Sequence, residues 1–197
     1  MGEMIKMVVV LTLLSSLSGG LLAYVKEGTK EQIENQVLQL VQGPAVEKIF
    51  AGASNNPVTD RFTLTDGDKK VPIFVAKFDG KPKAIALETL GKGGYGGPVG
   101  LMVGIDVDTD KIYGVSVTTS SETPSLGGRA KSDPKFAAQF AGMDVNQPIQ
   151  ITGDGGKVNA ISGATFTSRA VCLAATEAGQ LYERLKPQIE EKLNAFK

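Results

Sequence analysis

The sequence predicts an α+β protein: one membrane-spanning helix near the N-terminus, then a single domain of antiparallel strands with flanking helices. Three observations carry this. An uncharged run, Met7 to Val25, sits at one end of the chain. The middle of the chain holds short apolar stretches broken by Asp-Gly and Asp-Thr-Asp-Lys turns, the pattern of hairpins. The C-terminal third returns to a helical spacing of apolar residues. Antiparallel strands with helices at the ends give the α+β class. The expected organisation is an anchor over 1–25, a linking amphipathic helical segment over 26–55, and one domain over 56–197.

The elements follow in order. Met7 to Val25 is 19 residues between Lys6 and Lys26. At about 1.5 Å per residue it just spans a hydrocarbon core of about 30 Å. The run is longer than the apolar core of a cleaved signal peptide, and no A-x-A-type site follows, so an uncleaved anchor is expected. Ser15 with Gly19, and Ser16 with Gly20, are small-xxx-small pairs that allow close packing against other membrane helices. Lys6 on one side and Lys26 and Lys30 on the other nearly balance, so charge alone does not orient the segment. The six-residue head is too short for a domain, so the globular part lies on one side of the membrane.

Ile33, Val37, Leu40 and Val41 place a helix over Lys30–Gln42, which Gly43-Pro44 is expected to end; a short helix over Ala45–Phe50 follows. Asn55-Asn56-Pro57 reads as a loop. Val71–Phe78 and Ala84–Glu88 flank an Asp79-Gly80 turn. Val99–Asp106 and Ile112–Thr119 flank Asp108–Lys111, a second hairpin. Pro134–Ala141 reads as a short helix and Ile149–Thr152 as a short strand. Thr165–Leu185 is a long helix with a mostly small apolar face (Ala170, Val171, Leu173, Ala174, Ala178, Leu181), continued by Glu190–Phe196 beyond Pro187.

Composition narrows the chemistry. With no His, the chain supports no Ser-His-Asp triad and no His-ligated zinc or haem. One Cys forms no internal disulfide and holds no iron–sulfur cluster alone. Lys+Arg and Asp+Glu are equal at 21 each, which argues against a nucleic-acid partner. Redox or transfer chemistry would require a borrowed reactive group, and no metal is expected. Cys172 reads as a small core residue rather than a redox group.

Three stretches stand out. Gly91-Lys-Gly-Gly-Tyr-Gly-Gly-Pro98 reads either as a flexible loop or as a place where backbone approaches a flat ligand closely; it is neither a P-loop nor a G-x-G-x-x-G helix start. Ser120-Ser-Glu-Thr-Pro-Ser-Leu-Gly-Gly-Arg129 follows a strand and reads equally as a surface turn or a ligand loop. Asn159-Ala-Ile-Ser-Gly-Ala-Thr-Phe-Thr-Ser-Arg169 opens the long helix, whose free N–H groups and dipole suit a phosphate. Ser162, Thr165, Thr167 and Ser168 supply more hydroxyls than a cap requires, which favours anion binding. Arg169 can add a charge-assisted bond.

Ser162-Gly163-Ala164-Thr165 with Thr167 resembles the flavinylation motif of FMN-binding domains. These occur in the G subunit of Rnf ion-translocating oxidoreductase complexes and in the C subunit of the sodium-pumping NADH:quinone reductase. Glu122-Thr123-Pro124-Ser125-Leu126-Gly127 is similar to the Glu-Thr-Pro-Gly-Leu-Gly motif of that family, and Gly94-Tyr-Gly-Gly-Pro98 leading into Gly104-Ile-Asp106 is also typical of it. The compact chain resembles the Rnf protein more than its quinone-reductase relative, which stays open as the alternative, as does a membrane-tethered ligand-binding or assembly module without redox function. Two positions depart from the family: Asn159 stands where an Asp is frequent, and Ser125 replaces a Gly.

The resemblance implies that 56–197 is an FMN-binding domain. It implies FMN joined through its phosphate to Thr165, with Ser162, Gly163, Ala164, Thr167 and Ser168 around the phosphate. Thr123, Leu126 and Gly127 would lie along the ring, and Glu122 would either contact it or brace the loop. The chain would then be the redox subunit of an ion-translocating oxidoreductase, not a complete enzyme alone, coupling ferredoxin:NAD electron transfer to Na+ or H+ movement. Its partners would be the other membrane subunits of an Rnf-type complex and a flavin transferase. Since such a transferase works outside the cytoplasm, the resemblance also implies a single-pass protein of the inner or plasma membrane, with a cytoplasmic N-terminus and an extracytoplasmic domain.

Overall fold

The computed structural model describes residues 2–195, so Met1 of the expected anchor and Phe196 of the expected last helix lie outside the described residues. The chain divides into two compact units between Leu40 and Val41.

The first unit is helical. Helix α1 spans Gly2–Val37, and none of its residues is buried. Leu11, Leu17 and Leu22 are each at least 70% exposed. An apolar helix that buries nothing within its own unit needs an apolar solvent, and this one is long and apolar enough to cross a membrane.

Helical backbone does not stop at Gly43-Pro44 as the sequence suggests. A π-helical turn covers Leu38–Gln42, and α2 follows over Gly43–Ile49. A proline ring collides with the carbonyl four residues before it in a regular α-helix. The wider π-turn just before Pro44 relieves that collision, and Pro is well tolerated in a helix's first turn.

The second unit is built on a five-stranded antiparallel sheet in the order β1-β2-β3-β4-β5. The strands are β1 Arg61–Asp66, β2 Lys69–Phe78, β3 Lys81–Gly94, β4 Gly97–Asp106 and β5 Lys111–Val117. Each strand pairs with its sequence neighbour, so the sheet is a chain of hairpins. The turn at Asp79-Gly80 has positive φ at both residues (54° and 76°), the left-handed pair that an Asp-Gly turn supplies. β1 has no counterpart in the sequence reading. The Gly-rich stretch read as a loop is instead the distal end of the β3–β4 hairpin, with Gly94 paired to Gly97.

Alternation along the strands covers both faces. On one face Ile73, Val75, Ile85, Leu87, Leu101, Val103 and Ile105 pack with Ala170, Val171, Ala174, Ala178 and Leu181 of α5, which spans Thr165–Ala195. The small residues of α5 let it sit close to β3. Thr89 Oγ1 donates to the Ala174 carbonyl at 2.8 Å, and a Cβ on Gly91 would overlap the Ala170 carbonyl. On the other face α2 covers β4 and β5, with Ile49 and Phe50 against Gly104. There Gln42 Nε2 donates to Glu88 Oε2 at 2.6 Å, and Thr118 Oγ1 donates to Glu88 Oε1.

Two short helices, α3 Arg129–Ser132 and α4 Pro134–Ala138, follow the sheet. Ile149–Thr152 is not a strand: Ile151 forms only an isolated bridge to Val158. Pro187 does not interrupt α5, because it and Glu183, whose carbonyl its ring displaces, are both exposed, while Leu185, Ile189 and Leu193 stay buried.

Candidate functional site

The site forms where the loop after β5, the tip of the β3–β4 hairpin and the start of α5 meet. Its cleft has a volume of about 280 Å³. Glu122, Thr123, Leu126 and Gly127 line it from the loop, Gly163 to Thr167 from the helix start, and Tyr95 from the hairpin tip.

The helix start is shaped by local bonding. Gly163 has φ of +79°, a left-handed conformation that favours glycine, and it turns the chain directly into α5. Ser168 Oγ accepts from the Ile161 N–H at 2.9 Å and donates to the Ala164 carbonyl at 3.0 Å. The first backbone bond of the helix runs from the Ser168 N–H to the Ala164 carbonyl. The N–H groups of Thr165, Phe166 and Thr167 therefore lie ahead of the helical ladder, where an anion can accept from them.

The four hydroxyls separate by exposure. Thr165 and Ser162 are exposed, whereas Thr167 and Ser168 are 1% and 0% exposed. The Ser168 hydroxyl is fully engaged in the turn, and Ser168 lies outside the cleft. Ser162 faces a neighbouring groove lined by Arg129, Lys135, Gln139 and Asn159. Of these four, Thr165 is thus the one whose hydroxyl is both exposed and within the cleft. Thr167 is buried beside it, and a Cβ on Gly127 would overlap both Thr167 Oγ1 and Glu122 Oε2.

Two charged residues have other work. The Arg169 fork makes two bonds to Asp154, both 2.7 Å, and so supports the 3-10 turn Thr152–Asp154 instead of the cleft. That bond raises the Arg169 pKa and lowers the Asp154 pKa. Glu122 Oε1 accepts from the Gly96 N–H at 3.0 Å, which makes it a brace between loop and hairpin tip. Asn159 is tied to Gln139 by its backbone N–H and Nδ2, while its carbonyl accepts from Gln139 Nε2. Ser125 is not among the residues with positive φ, so the loop keeps its turn without a glycine there. Its bonds run from the Leu126 and Gly128 N–H groups to the Thr123 carbonyl.

Tyr95 and Phe166 line the cleft but are not among the site residues expected from sequence. Both are large aromatic residues left exposed, at 84% and 62%, next to glycines and hydroxyls. An aromatic residue among ligand-loop glycines is the signal that could have found them. The cleft therefore combines apolar walls (Tyr95, Leu126, Phe166) with an anion-accepting helix start. That combination fits a flat ring carrying a phosphate. Cys172 is not part of it: burial, with the Asp154 charge, pushes its thiol up to about 12.

Comparison with known proteins agrees with this geometry. The profile of the FMN-binding domain family matches residues 94–180, the stretch that supplies every wall of the cleft. The G subunit of the ion-translocating oxidoreductase complex of Vibrio cholerae serotype O1 (strain ATCC 39541) is 31% identical over 94% of this chain and 93% of its own length. The protein of the same name from Shewanella oneidensis is 32% identical over 89% and 87%. Among solved structures, the C subunit of the Na+-translocating NADH-quinone reductase from Parabacteroides distasonis is similar, with a TM-score of 0.52 and 26% identity, covering 63% of this chain and 75% of that one. NqrC from Shewanella oneidensis gives 0.50 and 25%, covering 70% and 73%. With identity above 30% across nearly its whole length, the chain belongs to the FMN-binding domain family, among the G subunits of ion-translocating oxidoreductase complexes.

Proposed function

We propose that this chain is a membrane-anchored electron-transfer subunit of an Rnf-type complex, carrying FMN as a phosphoester on Thr165. The observation that carries this reading is the separation of hydroxyls at the start of α5. Thr165 is exposed within the cleft beside the free N–H groups, while Thr167 and Ser168 are buried and Ser162 faces another groove.

The bound flavin would supply one- and two-electron chemistry, which explains how a chain without His serves a redox complex. The chain's own residues do the rest. The N–H groups of Thr165, Phe166 and Thr167 would hold the phosphate at the positive end of the α5 dipole. Thr167 and Gly127 would back the site, and Leu126 and Phe166 would shield the ring from water. A covalent tether prevents loss of cofactor from a cleft open to solvent.

The partners are the other membrane subunits of the complex, reached through α1, and a flavin transferase that loads Thr165. The domain lies outside the cytoplasm, with the N-terminus inside, and the complex couples ferredoxin:NAD electron transfer to Na+ or H+ movement. Similarity to the G subunits over nearly the whole chain favours this complex over the quinone reductase.

The test is co-expression with a flavin transferase, followed by a denaturing gel viewed for flavin fluorescence. The wild-type band is expected to fluoresce and the Thr165→Ala band to be dark. A dark wild-type band, or a Thr165→Ala band as bright as wild type, overturns the assignment.

A further inference from the structure

We propose that Glu122 is a positioning residue that, through the Gly96 N–H, fixes Tyr95 as one wall of the cleft. The proposal rests on the reading of the cleft as a flavin site. Tyr95 is 84% exposed, so side-chain packing does not hold it in place. Its neighbours Gly93, Gly94, Gly96 and Gly97 carry no side chains, and Gly93 and Gly97 have φ of +89° and +125°. Such a tip has large conformational freedom, and ordering it over the cleft requires a bond from another segment.

Glu122 provides that bond, accepting from Gly96 at 3.0 Å. Two glycines make room for its carboxylate, and a third lets the tip approach the loop. A Cβ on Gly94 would lie 2.7 Å from Glu122 Oε1, and one on Gly127 would overlap Oε2. A Cβ on Gly96 would overlap the Ser121 carbonyl and push the tip away from the loop. No Lys or Arg forms an ion pair with Glu122 among the described residues, so its carboxylate is not committed to a salt bridge. A hydrogen bond to a charged acceptor is among the stronger ones. Glu122 therefore acts on the ring through Tyr95 and the hairpin tip.

Two readouts on the full chain in detergent test this. The first needs no flavin: hydrogen–deuterium exchange at Gly96. Glu122→Ala is expected to speed it by about tenfold or more, and Glu122→Gln, which keeps an acceptor oxygen but not the charge, to speed it by clearly less. Glu122→Asp withdraws the acceptor by one methylene while keeping the charge. It is expected to behave like Glu122→Ala and serves if the alanine variant does not fold.

The second readout is the fluorescence lifetime of the attached flavin. Tyrosine in contact with a flavin quenches its excited state by a transient electron transfer that reverses on recombination; phenylalanine is too hard to oxidise to do so. Tyr95→Phe and Glu122→Ala are each expected to lengthen the lifetime severalfold, and the double variant no further than Tyr95→Phe alone. Unchanged Gly96 exchange in Glu122→Ala and Glu122→Asp overturns the proposal, as does a Glu122→Ala effect on lifetime that persists undiminished in the Tyr95→Phe background. A wild-type chain that takes no flavin overturns the functional reading, while the exchange measurement still decides whether Glu122 holds the tip.

Discussion

Asp110 turns the chain between β4 and β5 with φ of +53°, a conformation that Asp tolerates better than most side chains. Its carboxylate is held from α5: Tyr182 donates its OH at 2.8 Å and Lys186 its ammonium at 2.6 Å. Burial acts to raise the Asp110 pKa, but these two hydrogen bonds and the Lys186 charge outweigh it, so the folded value lies below the ordinary 3.8. The stability it contributes is therefore present above the unfolded pKa and lost as pH falls through the folded one. Urea melts are expected to show Asp110→Asn losing about 1–2 kcal/mol at pH 7. The loss is expected to shrink below pH 4, where the wild-type carboxylate also begins to protonate. An equal difference at pH 7 and pH 2.5 contradicts this role for Asp110.

At the scale of elements, the contact between α5 and β3 places Thr165 at the cleft. It depends on close backbone approach at Gly91, where a Cβ would overlap the Ala170 carbonyl. Gly91→Ala is expected to cost about 1–3 kcal/mol in urea unfolding, the range for overfilling a packed site. A variant as stable as wild type would show that the approach is not tight. The helix start of α5 was legible in the sequence because its signal is local: Gly163, Ala164 and a cluster of hydroxyls within a few residues of Thr165.

The hairpins were legible for the same reason, since Asp79-Gly80 and Asp108–Lys111 declare their turns. What the sequence hid was non-local. β1 has one buried residue, Leu64, among exposed and half-buried ones, and its pairing with β2 is what makes it a strand. Gly91–Gly94 reads as a loop because its strand character comes from β4 and α5. Pro44 reads as a helix end and Pro187 as a break between Leu185 and Glu190, and both are carried through: one by a preceding π-turn, the other by facing outward. Arg169 looked free for a phosphate only because its partner, Asp154, is remote in sequence.

One unit of the molecule carries the apolar helix and the other the open cleft. The two sides of the membrane are distinguishable by labelling. Cys172 is buried with a raised pKa, so the native chain offers no reactive thiol among the described residues. A single Lys157→Cys, at an exposed position, then reports the side of the domain. An extracytoplasmic domain predicts labelling by a membrane-impermeant maleimide in intact cells or, where an outer membrane intervenes, after its permeabilisation. Labelling only after lysis of the inner membrane places the domain in the cytoplasm and contradicts the proposed orientation.

The proposed function turns on Thr165 as the residue that bears the flavin, and mass spectrometry of the holoprotein reads that residue itself. Trypsin cuts after Lys157 and Arg169, and releases Val158–Arg169 with all four candidate hydroxyls on one peptide. Fragment ions are expected to place the added FMN phosphate on Thr165 and to leave Ser162, Thr167 and Ser168 unmodified. A peptide found only unmodified after exposure to the transferase, or FMN on one of the other three hydroxyls, contradicts the assignment.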